Sequence, residues 1–267
     1  TRHREKQTPE EQVAARLNAF DKNRHEIMQR YAEKLGVAVP VELEKFFDAA
    51  DAGDWAEIDR LYKELEKKSR GGNDADAHTI QKFLQVAKEV RGAHEAAHSW
   101  PAQDLLDYGS AVLNSLQPGM VYIGGTDAGR FIPTFLNETS GGEKHIVLTQ
   151  NALADGTYLD YANFLYGDRL KTLDGQDSQH AFSEYLANIQ KRYEHDQKFP
   201  DEPKQMRPDE NYKSEAGRVQ ISGQVAVMSI NELLVKMLQQ KNPELSFAME
   251  ESFSLPSTYA GAVPLGP

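Results

Sequence analysis

The residues whose types and spacing best suit chemistry lie between positions 119 and 131. A short apolar run, Met120 to Ile123, stops at Gly124 and Gly125. Thr126, Asp127, Gly129 and Arg130 follow, and an apolar helical pattern begins at Phe131. This order reads as a buried strand, a tight turn and a helix start. The first turn of a helix has unpaired N–H groups and the positive end of the helix dipole, so such a junction gathers donors around one point and favours anions. Arg130 is a cation in that first turn, where it opposes the dipole; it requires a carboxylate or a ligand beside it. The spacing Gly-Gly-x-x-x-Gly is not the dinucleotide fingerprint G-x-G-x-x-G, and no P-loop Lys-Ser/Thr follows.

Two further turns have similar chemistry. Residues 150–158 contain Asn151, Asp155 and Thr157, and Ser222-Gly223-Gln224 precedes a long helical run. Ligands of open parallel sheets bind beyond the carboxyl ends of the strands. The expected ligand-binding set is therefore Gly124, Gly125, Thr126, Asp127, Gly129, Arg130, Asn151, Asp155 and Thr157, with a polar ligand, a sugar or an anion. The plainer reading is that the glycines make turns while Thr126, Asp127 and Asp155 cap helices. Glu250 and Glu251 close the last apolar run at the same end. They read as a solvated strand end in preference to a carboxylate pair for acid–base work.

A second constellation is His94-Glu95-Ala96-Ala97-His98. On a helix, His94 and His98 at i and i+4 share a face and can hold zinc, with Glu95 as base for a bound water. Pro101 stops the helix three residues later, and no third ligand stands at a short fixed spacing. This leaves a zinc hydrolase as an alternative, and outside it no cofactor is expected.

The elements that position these residues are legible in the pattern. Thr8-Pro9-Glu10-Glu11 is a helix start with a capping box. Apolar residues then recur at helical spacing to Tyr31, and further helices are expected over 41–50, from Trp55, over 77–98 and over 102–116, with a polar Gly-rich break at 69–76. Trp55 and Trp100 read as anchors between helices. Strands are expected at 119–124, 144–149, 219–221 and 245–249, and helices near 127–137, 156–166, 178–193 and up to Gln240. The stretch 199–214 reads as a flexible polar excursion without core residues. The expected fold is α/β: a helical N-terminal region (1–100, short helical hairpins), then a domain (101–267) with a mostly parallel sheet flanked by helices in three layers.

The 267 residues carry 30 Lys and Arg against 41 Asp and Glu, a formal net charge of −11. A nucleic-acid partner is therefore not expected, because its phosphates require clustered basic residues. The absence of Cys excludes disulfides and thiol chemistry. No apolar run approaches the roughly 18 residues of a membrane span. A chain opening on Thr1 and closing on an apolar tail reads as a piece of a longer protein, with any anchoring segment elsewhere.

Several stretches of the second half carry a resemblance. They are Val121-Tyr122-Ile123-Gly124-Gly125-Thr126-Asp127, the strand leading to Gln150-Asn151, the unit Ala226 to Leu238 followed by Asn242-Pro243 and Leu245 to Ala248, and Tyr259-Ala260-Gly261 to Pro264. Over residues 103–267, with gaps, the chain resembles the extracytoplasmic region of a bacterial envelope family whose multi-pass members are similar to protein O-mannosyltransferases. A lipid-sugar-dependent transferase requires membrane helices, which these residues lack. The resemblance implies a soluble, carbohydrate-related accessory domain of a membrane-anchored parent, in a periplasmic or other extracytoplasmic location. The leading expectation is thus a binding domain for a small polar ligand or a protein partner. A scaffold that engages a partner through its helical half is the remaining alternative.

Overall fold

The computed structural model describes residues 7–71, 75–215, 218–252 and 255–266. The chain is mixed α/β, with helices flanking a small sheet. It divides into two compact units. The first comprises Thr1–Leu148, Ser246–Glu250 and Pro264–Pro267, the second Thr149–Leu245 and Glu251–Val263. Among the described residues, no helix is long and apolar enough to cross a membrane.

The first unit contains helices α1 (Pro9–Leu35), α2 (Val41–Asp51), α3 (Trp55–Gly71), α4 (Ala75–Ser99), α5 (Ala102–Ser115) and α6 (Asp127–Glu138). Its strands are β1 (Val121–Gly124), β2 (Ile146–Thr149, of which Thr149 is grouped with the second unit) and β5 (Phe247–Met249). The capping box at the start of α1 forms as its sequence requires: Thr8 Oγ1 accepts from Glu11 N at 3.2 Å, and the Glu11 carboxylate accepts from Thr8 N at 2.9 Å. Gly36 ends α1 in the left-handed region, at φ 65°. The centre of the expected break at 69–76 lies outside the described residues; α3 runs to Gly71 and α4 starts at Ala75.

β2, β1 and β5 form a parallel sheet in that order. Val121 pairs with Phe247, Tyr122 with Ala248 and Ile123 with Met249. Tyr122, Val147 and Ala248 make a small core with Val112, Leu113 and Leu116 at the end of α5. α6 packs on β1 as well as on α4 and α5. Every residue from Gly129 to Asn137 is buried, the polar Arg130, Thr134 and Asn137 included. Its neighbours come close because two of them are glycines. A Cβ at Gly92 of α4 would lie 2.3 Å from the Phe131 ring, and one at Gly109 of α5 would lie 2.4 Å from Leu136. At the far end of α6, Asn137 bonds both the N–H and the carbonyl of His145, at 2.9 and 3.0 Å, and so fixes the run into β2.

The second unit contains a 3-10 turn (Gln150–Ala152), helices α7 (Gly156–Tyr166), α8 (Gly175–Lys198) and α9 (Gln224–Lys241), strands β3 (Asn211–Glu215) and β4 (Arg218–Ser222), and a second 3-10 turn (Pro256–Tyr259). Two expectations are corrected here. The run at 219–221 does not join the parallel sheet; it lies in β4, which pairs antiparallel with β3 as a separate hairpin. The excursion at 199–214 is not free of core either. Its last residues form β3, and Met206 and Tyr212 pack with Ile221 against Tyr185, Ile189 and Ala226.

The physical reason is that the polar groups of the excursion find partners inside the second unit. Asp196 accepts from the backbone N–H groups of Gln205 and Met206, at 2.7 and 3.0 Å. The buried Glu210 carboxylate accepts from Arg192, from the Tyr185 hydroxyl at 2.9 Å and from Arg207 N at 2.9 Å. The Arg192 guanidinium and these other donors hold Glu210 below the usual carboxylate range although burial opposes them, and they cost a composition rule its validity.

Because the α4–α6 contact relies on a missing methyl group, Gly92→Ala overpacks it. The expected loss is about 1–3 kcal/mol, read as a lower urea midpoint at unchanged m-value. Exposed Gly142, with open space around it, is the control position and tolerates alanine.

Candidate functional site

The turn between β1 and α6 is built as the sequence indicates. Thr126 is the N-cap of α6, its hydroxyl oxygen accepting from Gly129 N at 2.9 Å. The turn is not empty. β5 runs parallel beside β1 and ends next to Gly124, where Glu250 N donates to the Ile123 carbonyl at 3.0 Å. The Glu250 side chain then enters the turn. Its Oε2 accepts from Gly125 N and from Thr126 N, both at 2.7 Å, and its Oε1 accepts from the Thr126 hydroxyl at 2.5 Å.

These are short, charge-assisted bonds at the positive end of a helix. Gly129 makes room for them: a Cβ there would lie 1.9 Å from Glu250 Oε2. The charge reaches two phenols of the first unit. Burial, followed by the Glu250 carboxylate, raises both Tyr108 and Tyr122 above the ordinary tyrosine value.

Arg130 has the carboxylate its position demands. Its Nη2 donates to Asp127 Oδ1 at 2.7 Å, and its guanidinium lies 4.3 Å over the Phe131 ring. Arg130 is buried whereas Asp127 is exposed, and the Arg130 Nε has no partner among the described residues. Burial pushes the Tyr62 hydroxyl of α3 up to about 12, against the opposing charges of Arg91 and Arg130.

The remaining expected ligand residues belong to the second unit. Asp155 is the N-cap of α7; its Oδ1 accepts from Thr157 N at 2.9 Å and from the Thr157 hydroxyl at 2.7 Å. Asn151 is exposed on the 3-10 turn. The loop Ser222-Gly223-Gln224 follows a strand of the hairpin, so it is not a loop of the parallel sheet. Of the expected set, the structure brings Gly125, Thr126 and Gly129 together around Glu250, pairs Asp127 with Arg130, and pairs Asp155 with Thr157. Sequence reasoning assigned Glu250 to a solvated strand end; the available signal was that a parallel neighbour of β1 must finish at the same edge as the glycine turn.

The His94-Glu95-Ala96-Ala97-His98 segment lies on α4, and each side chain has another partner. His94 Nε2 lies 2.9 Å from Asp21 Oδ2 of α1, with both residues buried. Glu95 accepts from Arg91 at 2.9 Å. His98 stacks on Trp55, ring centroids 5.5 Å apart. Among the described residues, no group of three or more His, Asp or Glu side chains is arranged to hold a metal ion.

Asp21 Oδ1 is buried without a partner among those residues. Burial raises the Asp21 pKa from 3.8, and the hydrogen bond and charge of His94 oppose the shift. A carboxyl raised in the folded state contributes stability below its unfolded value and loses it as pH rises through the folded value. Asp21→Asn removes that loss. Its stability relative to the parent is expected to increase as pH is raised from below 3.8 through the Asp21 titration, as measured by urea denaturation across the range.

No known protein family, curated protein or solved structure matches this chain.

Proposed function

We propose that the chain is a binding domain whose β1–α6 turn receives an anionic group, a carboxylate or a phosphate ester, in exchange for Glu250. One observation carries the reading: the turn holds a carboxylate by two backbone N–H groups and a hydroxyl. An exogenous carboxylate offers the same oxygens and charge, so the donors do not distinguish it from Glu250. The competition is between a tethered group and a free one, so the native chain binds small anions weakly, and a tight ligand makes contacts beyond the anion. A sugar acid or sugar phosphate within an envelope-associated bacterial protein is the ligand class we favour, on the resemblance of residues 103–267 alone.

The test removes the competitor. Glu250→Ala frees the donors, and inorganic phosphate or glucuronate is expected to raise its melting temperature and to bind about tenfold or more tightly than to the parent chain. In that background Gly129→Ala places a methyl group where Glu250 Oε2 lay and is expected to abolish the gain. If Glu250→Ala gains no anion affinity while it keeps its helical circular dichroism, the reading is wrong.

A further inference from the structure

Little besides Glu250 holds β5 in place. The strand runs only from Phe247 to Met249 and lies at the edge of its sheet, with β1 as its one neighbour. Its ladder is bounded by Val121 N, which donates to the Ser246 carbonyl at 2.9 Å, and by Glu250 N, which donates to the Ile123 carbonyl at 3.0 Å. Ala248 is buried, but Phe247 and Met249 are half-buried. A strand this short is marginal, and one alanine methyl adds little apolar burial.

The chain on either side is secured without β5. Leu245 N donates to the Asn242 carbonyl at 3.1 Å, and the Asn242 side chain bonds the N–H and the carbonyl of Lys171, at 2.8 and 2.9 Å. Beyond the strand, Ser252 N donates to the Tyr259 hydroxyl at 2.8 Å. Opening of the strand can therefore stay confined to residues 246–250.

The clamp supplies what the ladder lacks. The Glu250 carboxylate takes two bonds from Gly125 N and Thr126 N at 2.7 Å and a third from the Thr126 hydroxyl at 2.5 Å. Bonds to an ionised acceptor are about twice as strong as neutral ones, so this side chain contributes much of what docks the strand. The same three donors serve one anion at a time. An anion that takes them displaces Glu250 and sets a like charge beside it, which pushes the end of β5 away from the turn.

We propose that Glu250 is the pin of a latch: an anion entering the β1–α6 turn releases β5 from β1, so that occupancy of the turn becomes a local opening of residues 246–250. The latch rests on the anion-binding reading of that turn and adds its consequence. The coupling is reciprocal, so whatever loosens β5 also frees the donors and tightens anion binding.

The Val121 amide reports the opening, because it bonds Ser246 at the end of the ladder remote from the clamp. A swing of the Glu250 side chain alone leaves it protected; release of the strand exposes it. Hydrogen exchange of the full chain is followed at Val121, with Val90 of α4, 0% exposed, as the reference. Glu250→Gln keeps the size and removes the charge, and is expected to speed exchange at Val121 about tenfold or more while Val90 is unchanged. In the parent, inorganic phosphate raised to saturation, against chloride at equal ionic strength, is expected to speed Val121 likewise. The sign is diagnostic, since a ligand that merely binds the folded chain slows exchange. Ala248→Asn crowds a polar group against Tyr122 and Val147 and touches no donor of the turn; it is expected to tighten phosphate binding about tenfold or more. The latch is overturned if Val121 exchanges in Glu250→Gln as in the parent, if phosphate shifts the parent's Gly125 and Thr126 amides while Val121 stays protected, or if a folded Ala248→Asn chain binds phosphate no more tightly than the parent. Phosphate that shifts neither turn amide, even in Glu250→Ala, overturns the anion-binding reading and the latch with it.

Discussion

The clamp between the Glu250 carboxylate and the start of α6 is the interaction on which the parallel sheet of the first unit depends. β5 is only three residues long and β1 only four, so the ladder between them has few bonds. Three further bonds from Gly125 and Thr126 to one side chain lock the end of β5 to the turn that follows β1. The helix start needs an anion and the short strand needs an anchor; one carboxylate meets both needs. The arrangement also explains the residue types at 124–130. Gly129 must lack a side chain because the carboxylate occupies that space, and Thr126 must carry a hydroxyl because it both caps α6 and donates to Glu250.

The position of α6 is in turn a matter of steric fit. Pro133 lies inside the helix and has no N–H for the carbonyl four residues earlier, that of Gly129. That carbonyl lies against Gly124, where a Cβ would approach it to 2.4 Å. The helix therefore passes close to β1 at one end and close to α4 and α5 at Gly92 and Gly109. An element held in this way has little freedom to shift its first turn, so the donors aimed at Glu250 stay preorganised. Arg130 belongs to the same helix, and Asp127 satisfies one of its ends.

What the sequence made legible was local, and the misses share a cause. The capping box at Thr8 and Glu11, the caps Thr126 and Asp155, and the helices they start depend on residues within three or four positions, and all appear where the pattern places them. Glu250 sits about the full length of the sheet connections away from its partners; Thr126 is 124 residues earlier in the chain. No spacing rule reaches that far. The hairpin of β3 and β4 was hidden for a related reason. Its polar composition reads as solvated until Arg192, Tyr185 and Asp196 of α8 are known to supply the partners. The His94 and His98 pair makes the same point from the other direction. An i, i+4 spacing puts two rings on one stripe of α4, but it does not say what that stripe meets, and here it meets Asp21 of α1 at one position and Trp55 of α3 at the other.

At the β1–α6 turn Gly125 is half-buried and Thr126 exposed, and their donors are already matched by a charge, so a ligand would gain there only by the difference between its contacts and those of Glu250. A tethered anion can be displaced by a competing anion and restored when that anion leaves, which suits reversible exchange.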